Sequence, residues 1–165
     1  MDLRKVRAEE ATSVQQILVE NGQWMLSKGI DQWPIEWLES IADDISTSVS
    51  EGRFWCFDSD DEIVAVVEVR HDPEQLWGLD TEPSSYVHKL AINRSHHSSS
   101  LGSKLLGAVI ERARLQKRRY VRLDCVASNE RLRSYYENQG FRFVRIATNG
   151  EIDLALYELA LAAPQ

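Results

Sequence analysis

From Arg7 onward Val14, Ile17, Leu18 and, further on, Trp24 and Leu26 recur at roughly helical spacing. That period predicts an amphipathic helix, with acids Glu9 and Glu10 in its first turn and Gly29 closing it in a left-handed conformation. A second stripe, Ile35, Leu38, Ile41 and Ile45, follows Pro34, whose missing N–H suits a first helical turn. The period then changes. Arg53 to Asp58 and Glu62 to Arg70 are rich in aromatic and β-branched residues and flank Asp58-Ser59-Asp60-Asp61, which predicts a hairpin. Leu3 to Val6 is a further short strand. His71 to Ser85 holds Pro73, Gly78 and Pro83 and reads as a loop.

The second half alternates between the two periods. Tyr86 to Ile92 predicts a strand, and Gly102 to Gln116 a helix with Leu105, Leu106, Val109, Ile110 and Ala113 on one face. Tyr120 to Val126 predicts a strand and Asn129 to Asn138 a short helix. Phe141 to Ile146 and Ile152 to Leu159 make a closing antiparallel pair around Asn149-Gly150. The order β–α–α–β–β–β–α–β–α–β–β is a mixed α/β arrangement. With no repeat or linker along its 165 residues, the chain reads as a single domain over 1–165.

Charge and composition narrow the function. A net charge of -7 argues against nucleic acid, which needs a basic face, and is compatible with a cationic partner such as an amine. Two cysteines make no disulfide framework; Cys56 and Cys125 lie in apolar strand runs and read as small core residues. Met1-Asp2-Leu3-Arg4-Lys5 lacks the apolar stretch of a cleavable signal, and no run nears the roughly 20 apolar residues of a membrane span. The expectation is a cytoplasmic protein without a membrane partner, a monomer or homodimer.

Chemistry concentrates between Tyr86 and Phe141. The strand YVHKLAI feeds a polar loop that ends in SLGSKLL and opens a helix, where free backbone N–H groups make an anion site. Asn129 opens the next helix, with Arg133 and Tyr136 on the same face, and Tyr136-Glu137-Asn138-Gln139-Gly140-Phe141 closes it. In this order the chain resembles the GCN5-related N-acetyltransferase (GNAT) superfamily, over nearly its whole length. The resemblance implies a central mixed, mostly antiparallel sheet of about six to seven strands flanked by about four helices. It also implies acetyl-CoA as co-substrate, with no metal.

The family's loop pattern is Gln or Arg, two residues, Gly, one residue, then Gly or Ala. Here His97 stands at the first position, Ser100 at the first glycine and Gly102 at the second, so two of three positions depart. The resemblance implies that His97, Ser98, Ser99, Ser100, Leu101, Gly102 and Ser103 hold the phosphates. The main chain of Leu90, Ala91 and Ile92, beside a bulge, would receive the pantetheine arm. Asn129 and Arg133 would lie on the cofactor face, and Tyr136 would protonate the leaving thiolate. Adjacent His96-His97 lack a neighbouring Cys, Asp or Glu that would complete a metal site.

An amine acceptor must also lose a proton. Glu68, on the face of Val64 and Val66, is one candidate base, and His88 and Asp124 are others. Trp33 and Trp37 in WMLSKGIDQWPIEW would line the acceptor site. The expected function is acetyl transfer from acetyl-CoA directly to a primary amine of a small molecule or peptide. The alternative is a non-catalytic acyl-CoA-binding or sensing module, motivated by His97 and Ser100. A nucleotide-binding α/β domain is disfavoured, because no strand is followed by G-x-G-x-x-G or G-x-x-x-x-G-K-[ST].

Overall fold

The computed structural model describes residues 1–30, 32–96 and 100–162. Strands β1 (Arg4–Lys5), β2 (Phe54–Ser59), β3 (Glu62–Arg70), β4 (Ser84–Ile92), β5 (Tyr120–Val126), β6 (Arg142–Asn149) and β7 (Ile152–Ala160) form a mostly antiparallel sheet in the order β1-β2-β3-β4-β5-β7-β6. The α-helices are α1 (Ala11–Ser27), α2 (Ile35–Ser40), α3 (Ala42–Ser50), α4 (Leu101–Leu115) and α5 (Glu130–Asn138). The chain divides into two compact units, one of Met1–Val69 with Lys89–Ala108, the other of Arg70–His88 with Val109–Gln165.

In the first unit β1, β2 and β3 form an antiparallel meander, with Arg4 opposite Cys56 and Phe54 opposite Glu68. The β2–β3 turn sets both Asp60 (φ 51°) and Asp61 (φ 64°) in the left-handed region. That is the twist a tight hairpin needs, and aspartate tolerates it better than most residues. Val14, Ile17 and Leu18 of α1, Leu38 of α2 and Ile45 and Val49 of α3 bury their apolar stripes together with Phe54, Cys56, Ile63, Val66 and Ala91.

The second predicted helix is divided. Ile41 (φ -99°, ψ 15°) separates α2 from α3, and the Ser40 hydroxyl donates to the Trp37 carbonyl at 2.7 Å. A serine bonded back onto its own turn competes with the helical ladder there. Pro34 precedes α2 as its N-cap, with ψ 135°. Gly29 closes the end of α1 at φ 71°, as the sequence predicts.

In the second unit β4 runs parallel to β5 from Ser84 opposite Tyr120 to Tyr86 opposite Arg122, well short of the far end of either strand. β5 pairs antiparallel with β7 along its length, and β7 with β6, whose register shifts between Phe143 and Arg145. Arg122, 3% exposed, is held by flanking aromatics and acids. Its guanidinium lies 4.7 Å from the ring centres of both Trp77 and Tyr120 and bonds Asp80, Glu158 (3.2 Å) and the Tyr86 hydroxyl (3.5 Å). A buried cation needs such neighbours, because desolvation alone would expel it.

Helix α1 approaches α2 closely at Gly22. A Cβ there would lie 2.7 Å from Leu38 Cδ1 and 3.2 Å from the Trp33 carbonyl oxygen, and Leu38 is fully buried and has no room to swing away. Gly22→Val is therefore expected to lower stability by about 1–3 kcal/mol, the usual cost of overpacking. A urea titration checks it, and an unchanged midpoint would contradict the close approach.

Candidate active site

Strand β4 carries the expected cofactor segment, and its backbone is irregular beside it, where the resemblance implies a bulge. Lys89 has φ 49°, the one described non-glycine inside a strand with a left-handed backbone. The other three, Asp60, Asp61 and Lys117, lie in turns. Leu90, Ala91 and Ile92 follow this kink. Ala91 is buried in the core of the first unit, and the Ile92 carbonyl accepts from Asn21 Nδ2 at 2.8 Å. Asn93 ends the strand: its N–H donates to the Val64 carbonyl (2.8 Å) and its Nδ2 to the Ile63 carbonyl (3.0 Å).

Helix α4 begins at Leu101, and the carbonyl of Ser100 accepts the N–H of Lys104 at 3.0 Å. Ser100 therefore stands at the entrance of the helix, with Gly102 and Ser103 in its first turn. The readings on His97, Ser98 and Ser99 lie outside the described residues. Among the described residues no cluster of three or more His, Cys, Asp or Glu side chains is placed to hold a metal ion.

Asn129 is the N-cap of α5, its side-chain oxygen accepting from Leu132 N–H at 3.2 Å. Arg133 is engaged within its unit: Nε donates to the Tyr157 hydroxyl (3.1 Å) and a terminal nitrogen to the Ala127 carbonyl (3.1 Å). The guanidinium lies 5.0 Å from the ring centre of Phe143, and the Tyr157 hydroxyl donates onward to Glu137 (2.8 Å). Tyr136 is 7% exposed, in edge-on contact with Tyr135 and Phe141 and tilted against Tyr157. Burial pushes its phenol well above the usual tyrosine range, and the charges of Cys125, Tyr135 and Asp124 would add to that push. Tyr135 and Asn129 have further interactions beside it.

The candidate bases differ in what holds them. Glu68 is fully buried; one oxygen accepts from the Ser48 hydroxyl (2.8 Å) and the other from Lys89 Nζ (2.7 Å). His88 is partly exposed, and its Nε2 lies 2.5 Å from Glu74 Oε1. With Glu74 accepting from Nε2–H, a neutral His88 keeps Nδ1 as an acceptor. Asp124 is half-buried on β5, opposite Leu156 of β7. Glu74 and Lys89 went unread in the sequence. One sits in a loop of ordinary polar composition, and the other looks like the solvent-facing lysine of an alternating strand.

The tryptophans separate. Trp33 packs against the core of the first unit, whereas Trp37 is 42% exposed. Arg94 also stacks its guanidinium 4.1 Å from the ring centre of Trp24.

Residues 16–141 match the family model for the Acetyltransferase (GNAT) family. The chain is 31% identical over 147 residues to the Bacillus subtilis protein called uncharacterized N-acetyltransferase YesJ, covering 86% of this chain and 82% of that one. Its fold is similar to that of a GNAT-family acetyltransferase from Listeria monocytogenes (TM-score 0.80, 20% identity, 97% of this chain and 94% of that one). It is also similar to the PaiA N-acetyltransferase of Thermoplasma acidophilum, solved in complex with coenzyme A (TM-score 0.69, 17% identity, 94% of this chain and 96% of that one). The chain belongs to the GNAT family of acetyltransferases.

Both cysteines are fully buried, and desolvation pushes each thiol up to about 12. A thiol in that state is no nucleophile near neutrality. The native protein is therefore expected to leave a thiol-reactive dye such as Ellman's reagent uncoloured at pH 8, with both cysteines reacting once urea unfolds it. Rapid reaction of either cysteine in the native protein would contradict this.

Proposed function

We propose that this protein transfers an acetyl group from acetyl-CoA directly to the primary amine of a small molecule or peptide. The single observation that carries the reading is Tyr136, a buried phenol that burial keeps protonated, on a helix opened by Asn129. The name and coenzyme A complex of the Thermoplasma protein support the cofactor, and membership of the GNAT family supports the reaction class.

The residues fit such a cofactor in two respects. Ser100, Leu101, Gly102 and Ser103 lie at the start of α4, and a helix N-terminus is a favourable place for phosphate oxygens. Leu90 to Ile92, just beyond the Lys89 kink, offer an extended main chain to the arm, with the Ile92 carbonyl already accepting from Asn21. Acetyl-CoA supplies the acetyl group already activated as a thioester.

Attack of the amine nitrogen on the thioester carbon forms the C–N bond and breaks the C–S bond. The thiolate takes the Tyr136 proton, and the amine gives up its own proton to His88 Nδ1 or a water beside it. Solvent exchange then returns the borrowed protons, so product amide and free thiol leave with all atoms balanced. His88 is preferred to Glu68 as base, because both Glu68 oxygens already accept hydrogen bonds. Trp37, exposed on α2, is the better placed of the two tryptophans to meet an acceptor from solvent.

The rival reading, a module that binds acyl-CoA without turnover, rests on His97 and Ser100 where the family has other residues. Calorimetric titration with acetyl-CoA, coenzyme A and ATP, followed by a panel of amines, separates the two. Micromolar binding of the first two and not ATP, with coenzyme A released on at least one amine, is the expected result. Binding without release on any amine would favour the module.

Tyr136→Phe is expected to lower kcat about 100-fold, the lower range for loss of an acid–base group, with acetyl-CoA affinity changed by less than about threefold. Equal losses in both would remove its role as acid.

A further inference from the structure

We infer that Lys89, Glu68 and Ser48 form a buried clamp that holds β4 in its left-handed kink, making Lys89 and Glu68 positioning residues for the cofactor segment Leu90 to Ile92. The cofactor half of this inference rests on the function proposed above.

A lysine gains nothing sterically from φ 49°. Its Cβ crowds the backbone there, and only a compensating interaction keeps it in place. The compensation is visible. Nζ reaches the carboxylate of Glu68 at 2.7 Å, the other carboxylate oxygen accepts from Ser48 at 2.8 Å, and the lysine side chain is only 14% exposed. Glu68 is fully buried and sits in the β2–β3 ladder opposite Phe54, so it has no route to water. A buried carboxylate must find a cation, and the nearest lysine satisfies it through the kinked conformation.

The kink matters because of strand geometry. Side chains and main-chain groups alternate along a strand with period two, so relaxing one residue to an ordinary extended conformation re-aims every group after it. The groups after Lys89 are Leu90, Ala91 and Ile92. Their far end is fixed independently, by Asn21 on the Ile92 carbonyl and by Asn93 on Val64 and Ile63. The segment is thus held at both ends, with the Lys89–Glu68 ion pair at its near end.

The test compares Lys89→Ala, Lys89→Gly and Glu68→Gln. Glycine accepts a left-handed backbone without a Cβ and alanine does not, yet both remove the ammonium. Loss of an ion pair that merely stabilises the fold would affect both lysine variants alike. A clamp on the backbone predicts a ranking, with glycine retaining more than alanine. Amide hydrogen exchange of residues 90–92, measured without ligand, should speed up tenfold or more in Lys89→Ala and Glu68→Gln. Coenzyme A affinity by calorimetry should fall tenfold or more in Lys89→Ala and distinctly less in Lys89→Gly.

Unchanged exchange in Lys89→Ala would overturn the clamp, as would, in a protein that binds coenzyme A, a glycine variant that binds no better than the alanine one. Should Glu68→Gln fail to fold, the two lysine variants carry the comparison alone. If exchange responds as expected but the unaltered protein does not bind coenzyme A, the clamp stands and the cofactor reading falls.

Discussion

A carboxylate with no access to water is the constraint on which the backbone of β4 depends. Glu68 lies in β3 among Val66, Val67 and Val69, where an uncompensated charge would cost several kcal/mol. Ser48 of α3 and Lys89 of β4 supply what solvent cannot. One buried group thereby ties α3, β3 and β4 into a single hydrogen-bonded set. Apolar packing alone would not fix the backbone angle of a neighbouring strand in this way, because it is indifferent to direction.

The second unit solves a similar problem with the opposite sign. Arg122 is buried on β5 and satisfied by Asp80, Glu158 and Tyr86, with Trp77 and Tyr120 alongside its guanidinium. Around α5, Arg133, Tyr157 and Glu137 form another chain of donors and acceptors. Tyr136 sits beside this network, its ring tilted against that of Tyr157.

Much of this was legible in the chain. Glu62–Arg70 and Tyr120–Val126 form strands with the bounds their sequence predicts, because turn residues or charges border runs of β-branched side chains. Gly29 and the Asn129 cap were readable for the same reason: their local chemistry admits few alternatives. The break at Ile41 was not readable, since the apolar stripe continues across it. The left-handed Lys89 was not readable either, because lysine carries no preference for that conformation and its partner lies 21 residues away. Arg133 illustrates the limit of face arguments. Helical spacing puts it with Asn129 and Tyr136, yet its guanidinium serves Tyr157 and Ala127 within its own unit.

On the function proposed above, burial of the Tyr136 phenol has a consequence for selectivity among acceptors. Ordinary alkylamines hold their proton until well into the alkaline range, much as lysine does with a reference pKa of about 10.4. A tyrosine in water would lose its own proton over the same interval, so nucleophile and acid would be available together only in a narrow band. By lifting the phenol above that interval, the apolar surroundings of α5 separate the two ionisations. Basicity of the acceptor then ceases to be a barrier on the acid's side, and strongly basic amines fall within reach.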